Sequence, residues 1–259
     1  MSEIHPTAVI DPGAELAEDV TIGPYAVINA GVQLGSGCVV HSHAVLSGPA
    51  QIGERNVFYP HACVGGQTQD LKYAGEPTYL EIGDDNVFRE FVTVNRSDKA
   101  DELTRIGSHG NFLAYSHIAH DCQVGDHVIF SNNGTLAGHV TVGDYVILGG
   151  LTAVHQFCRL GDHAITGGCS KIVQDIAPFM IADGNPAEIR GINKVGLERR
   201  GVSKESIRAI SETHKILFRS GKNTTQAVEE LQGRTDLCQF EQVAALIDFV
   251  GNSERGIIR

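Results

Sequence analysis

The stretch IGSHGNFLAYSHIAHDCQVGDHVIFSNNGTLAGHVTVGDYVILGGLTAVHQFCRL, residues 106–160, has an aliphatic or phenylalanine residue at every sixth position. These positions are Ile106, Phe112, Ile118, Val124, Phe130, Leu136, Val142, Leu148, Val154 and Leu160. Smaller residues often follow four places later, as at Cys122 and Val128. A period of six matches neither the 3.6-residue period of an α-helix nor the alternation of a long strand. It predicts short strands joined by tight corners.

The same six-residue spacing, which we call the frame, extends from Ile4 to Ile172. Only four of its 29 positions are not Leu, Ile, Val or Phe: Asp70, Glu76, Ala100 and Thr166. Glycine follows the frame residue every 18 residues, at Gly107, Gly125, Gly143 and Gly161, so three hexapeptides form one coil. We expect these glycines to supply the backbone freedom of a corner. The pattern predicts a parallel β-helix, a triangular prism of three parallel sheets whose coils stack about 4.8 Å apart.

The repeat predicts two domains. Residues 1–177 form the β-helix, and two loops, about 65–81 and about 95–105, leave the frame and return to it in register. Loops on a rigid scaffold often carry binding groups. Residues 178–259 form a linker and an α-helical C-terminal domain. Ser203 and Thr224 are predicted N-caps of two helices, and a third helix is expected near residues 240–250.

Composition limits the function classes. The 259-residue chain has a net charge of −11, which argues against nucleic acid as a partner. No apolar run approaches the roughly 20 residues that cross a bilayer, and the N-terminal residues do not resemble a signal peptide, so we expect a cytoplasmic protein without membrane insertion. Residues 190–222 contain nine Lys or Arg against three Glu, which indicates either an anionic partner or a solvated helix face. The six cysteines are scattered along the sequence, so we expect them to be core residues.

Three of the twelve histidines, His120, His139 and His155, fall near one corner on successive coils, and His117 lies close by. Such a stack predicts a shared metal ion such as zinc, acid–base catalysis, or a structural column. Spacing alone leaves all three open. The histidines at 109, 127 and 163 each stand two residues after a corner glycine, and we expect them to line a solvated edge.

Six segments in order carry a resemblance to a known family. They are QDLKYAGEPT (69–78), SHIAHDC (116–122), LAGHVTVGD (136–144), AVHQFC (153–158), GGCS (167–170) and SERGIIR (253–259). Over essentially its whole length the chain resembles the UDP-N-acetylglucosamine O-acyltransferases of lipid A synthesis, a hexapeptide-repeat family. The resemblance implies a left-handed β-helix and a homotrimer.

The resemblance also implies the chemistry. A 3-hydroxyacyl chain would pass from acyl carrier protein to the 3-position of the UDP-sugar by direct attack on the phosphopantetheine thioester, so neither a cofactor nor a metal is expected. His120 would be the general base, Asp121 would orient it, and the Gly138 N–H would stabilise the oxyanion.

The implied substrate contacts are Gln69, Asp70, Lys72, His117, His139, His155, Gln156, Asn193, Arg199 and Arg200. Gly168 matches the position that measures the acyl chain, and a glycine there predicts a long chain.

Two departures from the family pattern bear on the sugar. Where relatives often read T-I-H-R-G, residues 93–97 read T-V-N-R-S, so Asn95 replaces a histidine. Where they often read N-I-E-G, residues 193–196 read N-K-V-G, so Val195 replaces a glutamate. Transfer to the 3-amino sugar analogue, which would form an amide, is therefore an alternative. More distant alternatives are a zinc-dependent β-helix carbonic anhydrase and a non-catalytic β-helix binding protein.

Overall fold

The computed structural model describes residues 2–259, which form three sheets followed by helices, and it confirms the predicted parallel β-helix with a helical C-terminal region. The first sheet has the strands Glu3–Ile4, Thr21–Ile22, Val39–Val40, Val57–Phe58, Val87–Phe88, Asn111–Phe112, Ile129–Phe130, Ile147–Leu148, Ile165–Thr166, Met180–Gly184 and Ala187–Ile192. The second has Val9–Ile10, Val27–Ile28, Val45–Leu46, Cys63–Gly66, Thr93–Asn95, His117–Ile118, Thr135–Leu136, Ala153–Val154 and Lys171–Ile172. The third has Glu15–Leu16, Val32–Leu34, Ala50–Ile52, Tyr79–Ile82, Leu103–Ile106, Gln123–Val124, Thr141–Val142 and Arg159–Leu160.

The frame residues fill the interior of the prism. Phe58, Phe88, Phe112 and Phe130 are fully buried and occupy successive coils of the first sheet. The rings of Phe58 and Phe88 stack with centroids 5.1 Å apart, close to the spacing of adjacent strands. Each buried ring contributes about 2 to 3 kcal/mol through removal of apolar surface from water. The six-residue period thus creates one continuous core along the prism axis.

The glycine corners differ from our expectation. At the corners that follow Gly107, Gly125, Gly143 and Gly161, between the third and first sheets, the left-handed residues are His109, His127, Tyr145 and His163, with φ between +56° and +60°. Gly107 and its equivalents, two residues earlier, are not left-handed, so the prediction that they supply that freedom was wrong. A Cβ on Gly107 would lie 2.9 Å from the carbonyl carbon of the glycine one coil away. Glycine is needed there because adjacent coils approach closely.

The last two strands extend the first sheet beyond the repeat. Met180–Gly184 pairs in parallel with Ile165–Thr166, and Ala187–Ile192 returns antiparallel to Met180–Gly184. The period-six frame has already ended here, so this strand pair was not predicted. It covers the sheet edge that the final coil would otherwise expose.

Five helices follow: α1 (Lys194–Arg199), α2 (Lys204–Arg219), α3 (Thr224–Gln232), α4 (Thr235–Cys238) and α5 (Glu241–Gly251). Ser203 caps α2 as predicted, because its side chain accepts the Ser206 N–H. Asn223, rather than the predicted Thr224, caps α3 through a capping box with Gln226. Within residues 2–259, none of the helices combines the length and apolarity needed to cross a membrane.

Two loops, residues 67–78 and 96–102, leave the corner between the second and third sheets. We call them the first and second loops. The Asn95 side-chain amide, at the base of the second loop, donates to the Gln67 carbonyl at 2.9 Å. The Arg96 N–H donates to the Gly66 carbonyl at 2.9 Å, and the Asp101 N–H donates to the Pro77 carbonyl at 3.0 Å. The two loops therefore dock on each other beside the corner that also carries His120.

Candidate active site

The histidine corner is built by the register of successive coils. His120 and Asp121 follow one strand of the second sheet, and Gly138 and His139 follow the strand of the next coil. The His139 N–H donates to the His120 carbonyl at 3.0 Å, which fixes the spacing of the two residues. Asp121 and His139 both occupy the left-handed turn position, with φ of +60° and +59°. The 18-residue coil thus places chemically different side chains at equivalent positions.

His120 and Asp121 form a buried hydrogen-bonded pair. The His120 Nδ1 lies 2.7 Å from the Asp121 Oδ2, and their side chains are 11% and 9% exposed. Because Nδ1 faces the carboxylate, Nε2 is the ring nitrogen available to another group. Gly138 packs against that nitrogen: a Cβ on residue 138 would lie 2.5 Å from it. Within residues 2–259 the Gly138 N–H has no hydrogen-bond acceptor.

The second loop holds the Asp121 carboxylate from the other side. The Ser97 hydroxyl donates a short hydrogen bond to Oδ1, and the Asp98 N–H donates to Oδ2 at 3.2 Å. The Asp121 N–H in turn donates to the Thr104 hydroxyl at 2.8 Å. Sequence reasoning did not identify Ser97, Asp98 or Thr104 as site residues. The only available signal was the unusual serine in T-V-N-R-S.

Two neighbouring carboxylates have opposite pKa shifts. Burial acts to raise the pKa of Asp121, but hydrogen bonds from Asp98, Ser97 and His120 outweigh it and lower the pKa to about 2. Burial, followed by a hydrogen bond with Asp121 and then by the Asp121 charge, raises the pKa of Asp98. Asp121 is therefore the carboxylate that ionises first and pairs with His120.

The imidazoles of His139 and His117, near His120, are neutral at neutral pH because burial lowers the pKa of each. Burial lowers the pKa of His139, whose ring meets that of His120 edge-on at 5.1 Å and stacks on Phe157 at 4.8 Å. Burial also lowers the pKa of His117, whose Nδ1 lies 2.7 Å from the Thr93 hydroxyl. At neutral pH both rings are uncharged, so each offers one donor and one acceptor for hydrogen bonds.

One group of side chains has the geometry for a metal ion. Candidate ligand atoms of Asp98, His120, Asp121 and His139 all lie within 4.8 Å of one another. Two carboxylates and two imidazoles are a ligand set that zinc accepts. His120 Nδ1 and Asp121 Oδ2 already satisfy each other at 2.7 Å, so a metal ion would have to displace that hydrogen bond.

Several other predicted site residues lie on the same corner. Gln69, Asp70 and Lys72 are on the first loop, where the Lys72 N–H donates to the Asp70 carboxylate at 2.8 Å. His155 and Gln156 lie on the coil after His139, and His155 is exposed, with Nδ1 3.4 Å from the Arg255 guanidinium. The structure thus groups the first loop and the histidine column along one edge of the prism.

The remaining predicted residues lie on the other two corners. Asn193 is buried beside the corner between the third and first sheets, where its amide donates to the His163 carbonyl at 2.8 Å and its oxygen caps α1. Arg200 lies over the Tyr145 ring of that corner at 4.4 Å, and Arg199 is exposed. Gly168 lies on the corner between the first and second sheets. One chain does not bring these residues to His120.

Comparison with known proteins gives consistent matches along the chain. A family model described as UDP-N-acetylglucosamine O-acyltransferase, domain 2, matches residues 175–258. Enzymes named acyl-[acyl-carrier-protein]–UDP-N-acetylglucosamine O-acyltransferase from Cupriavidus pinatubonensis and Thiobacillus denitrificans are 59% and 51% identical, and each alignment covers 100% of both chains.

Solved structures match the chain in the same family. LpxA from Acinetobacter baumannii superimposes with a TM-score of 0.94 at 45% identity, with 99% of each chain covered. The UDP-N-acetylglucosamine acyltransferase of Arabidopsis gives 0.89 at 34% identity, with 99% of this chain and 100% of that one covered. Identity at this level extends over both the β-helix and the helical end. The chain therefore belongs to the UDP-N-acetylglucosamine O-acyltransferase family.

Proposed function

We propose that the chain transfers a 3-hydroxyacyl group from acyl carrier protein to the 3-hydroxyl of UDP-N-acetylglucosamine, the first step of lipid A synthesis, with His120 as general base. The single observation that carries the role of His120 is its buried hydrogen bond to Asp121, which leaves Nε2 directed at Gly138. A carboxylate on Nδ1 fixes the tautomer with a basic Nε2 and stabilises the imidazolium that forms.

The acyl group can pass directly from the thioester to the sugar, without a covalent enzyme intermediate. Nε2 takes the sugar hydroxyl proton while the oxygen attacks the thioester carbonyl carbon. The Gly138 N–H is the donor for the resulting oxyanion, because Gly138 packs against the His120 ring and its N–H has no acceptor among residues 2–259. The tetrahedral oxyanion then collapses to the ester and expels the pantetheine thiolate, and the thiolate takes the proton from His120.

The outer faces of the prism support a trimer. Outward side chains of the first sheet are largely apolar, as at Val39, Val57, Ile129 and Ile147, and those of the second include Val9, Val27 and Val45. The third sheet instead presents polar residues, as at Gln33, Gln51, Glu81 and Arg105. The corner between the two apolar faces exposes Tyr25, Phe91, Tyr115 and Leu151. Two adjacent apolar faces suit a ring in which the first sheet of one chain packs on the second sheet of the next.

This packing would complete the site. The far edge of the first sheet carries Asn193 and Arg200, and the far edge of the second sheet carries His120. Packing the two sheets face to face therefore brings the Arg200 corner of one chain to the histidine corner of its neighbour. We propose a homotrimer in which Arg199 and Arg200 of one chain bind the sugar diphosphate beside His120 of the next.

The basic helices supply a docking surface for acyl carrier protein, an acidic partner. A groove of about 420 Å³ between α1 and α2 is lined by Lys194, Lys204 and Arg208, together with Glu198 and apolar Ile207. Complementary charge would steer the carrier protein towards this face and favour association at low salt.

Activity of the His120→Ala variant tests the catalytic proposal. With UDP-N-acetylglucosamine and a 3-hydroxyacyl carrier protein, wild type should form the ester, and the variant should lose about a thousandfold or more in kcat. Unchanged melting temperature would show that the loss is chemical. A variant that keeps wild-type kcat would contradict the role of His120 and would favour a binding protein or another base.

The same assay addresses the alternatives. Because Asn95 and Val195 depart from the family pattern, the 3-amino analogue of the sugar is offered as a competing acceptor, and mass spectrometry distinguishes the amide from the ester. Zinc dependence, which the four-residue ligand group allows, is tested by metal analysis and chelation. Stoichiometric zinc that is lost together with activity would favour a metalloenzyme.

A further inference from the structure

Ser97 contacts the catalytic pair without touching His120. It is fully buried on the second loop, and its hydroxyl donates to the Asp121 Oδ1 while accepting the Lys99 N–H at 3.1 Å. A hydroxyl has a single proton, and the other acceptor within reach, the Lys99 carbonyl, is 3.4 Å away. The Ser97 hydroxyl therefore donates its hydrogen bond to Asp121.

The position of Ser97 is itself fixed by both loops. Its N–H donates to the Tyr79 carbonyl at 3.3 Å, where the chain returns from the first loop. Its neighbour Arg96 donates to Gly66, where that loop begins. The Asp98 N–H then reaches the Asp121 Oδ2, the oxygen that also accepts from His120. Each carboxylate oxygen thus receives one hydrogen bond from the second loop.

We infer that Ser97 is a positioning residue for acyl transfer: its hydroxyl holds the Asp121 carboxylate in the plane that orients His120. This inference rests on the proposed role of His120 as the base. Without the hydroxyl, the carboxylate can rotate, and its negative charge is less neutralised by hydrogen bonds. A less neutralised carboxylate stabilises the protonated imidazole, so the base becomes available only at higher pH.

The Ser97→Ala variant is the direct test. We expect kcat to fall about tenfold, with KM for both substrates within about twofold of wild type, since a hydrogen bond to a charged group is lost at the base and not at the substrates. The low-pH limb of the kcat/KM profile should move to higher pH. Ser116→Ala is the matched control, because Ser116 is equally buried and its hydroxyl donates to the Leu113 carbonyl instead.

The Ser97→Gly variant separates the effect of the hydroxyl from that of the backbone. Removing both Cβ and Oγ frees space for one water, which can donate to Oδ1 and accept from Lys99, whereas alanine fills most of that space. We therefore expect kcat to be highest for wild type, lower for Ser97→Gly and lowest for Ser97→Ala. If Ser97→Gly is slower than Ser97→Ala, residue 97 acts through its backbone, and the inference is overturned.

His120→Ala in the same assay separates two kinds of failure. If His120→Ala is inactive but Ser97→Ala keeps the wild-type kcat and pH profile, only the inference about Ser97 is wrong. It is equally wrong if Ser97→Ala loses kcat with an unmoved pH profile. If His120→Ala is fully active, the proposed base is wrong and the inference falls with it.

Discussion

Gly138 lies so close to the imidazole of His120 that any side chain at position 138 would displace the ring: a Cβ built there is 2.5 Å from Nε2. We therefore predict that Gly138→Ala lowers kcat by about a hundredfold or more, because the ring must turn away from both the substrate hydroxyl and Asp121. Steady-state kinetics on the purified variant measures the loss.

The matched control for this variant is Gly251→Ala at the end of α5, where an added Cβ meets nothing within 4 Å. It should leave kcat unchanged. If Gly138→Ala retains the wild-type kcat with intact folding, the Gly138 backbone does not define the position of the base, and the oxyanion role of its N–H loses its support.

A second prediction concerns Gly168, the residue that the family resemblance assigns to acyl-chain length. A Cβ on this glycine would meet only the Gly150 carbonyl oxygen, at 3.5 Å, so a larger side chain fits without displacing the backbone. Gly168→Met should therefore fold normally and prefer an acyl chain of about ten carbons, since each methylene left in water costs about 0.8 kcal/mol. Mass spectrometry of products from a mixed set of 3-hydroxyacyl carrier proteins gives the preference, and an unchanged preference would contradict the assignment.

A third prediction uses the raised pKa of Asp98, caused first by burial and then by the hydrogen bond with Asp121 and the Asp121 charge. An acid whose pKa is higher in the folded protein destabilises it once pH exceeds the unfolded value, near 3.9. Asp98→Asn removes that charge, so the melting temperature of the variant should exceed that of wild type at neutral pH. The difference should vanish as pH falls below about 4. A variant less stable than wild type at pH 7 would show that the Asp98 carboxylate is favourably paired.

The period of six was sufficient to predict the coil, because frame residues of adjacent coils must contact each other in the core. It was also sufficient to place His120 and His139 together, since their positions differ by about one coil. It could not find the contacts of Ser97 and Asp98 with Asp121. Those contacts depend on how a loop outside the frame folds back, and nothing in the six-residue pattern sets its path.

The same limit applied at the C-terminal end. The strand pair Met180–Gly184 and Ala187–Ile192 was missed because a hairpin added to a sheet edge does not repeat with the coil. The Ser203 cap, in contrast, was identified correctly because the cap residue and the N–H it accepts are only three residues apart. Local and periodic signals were readable from the sequence, whereas contacts between non-repeating segments were not.

The separation of His120 and Arg200 on different corners leads to a fourth prediction about shared sites. We expect light scattering to give three times the 27.7 kDa chain mass, and His120→Ala and Arg200→Ala each to be nearly inactive alone. When equal amounts of the two variant chains are co-assembled, a site works only if the chain that supplies Arg200 is the His120→Ala variant and the chain that supplies His120 is the Arg200→Ala variant. This happens with a probability of about one half times one half. Activity should therefore return to about one quarter of wild type. If each site lay within one chain, mixing would restore nothing, because every chain would lack one of the two groups.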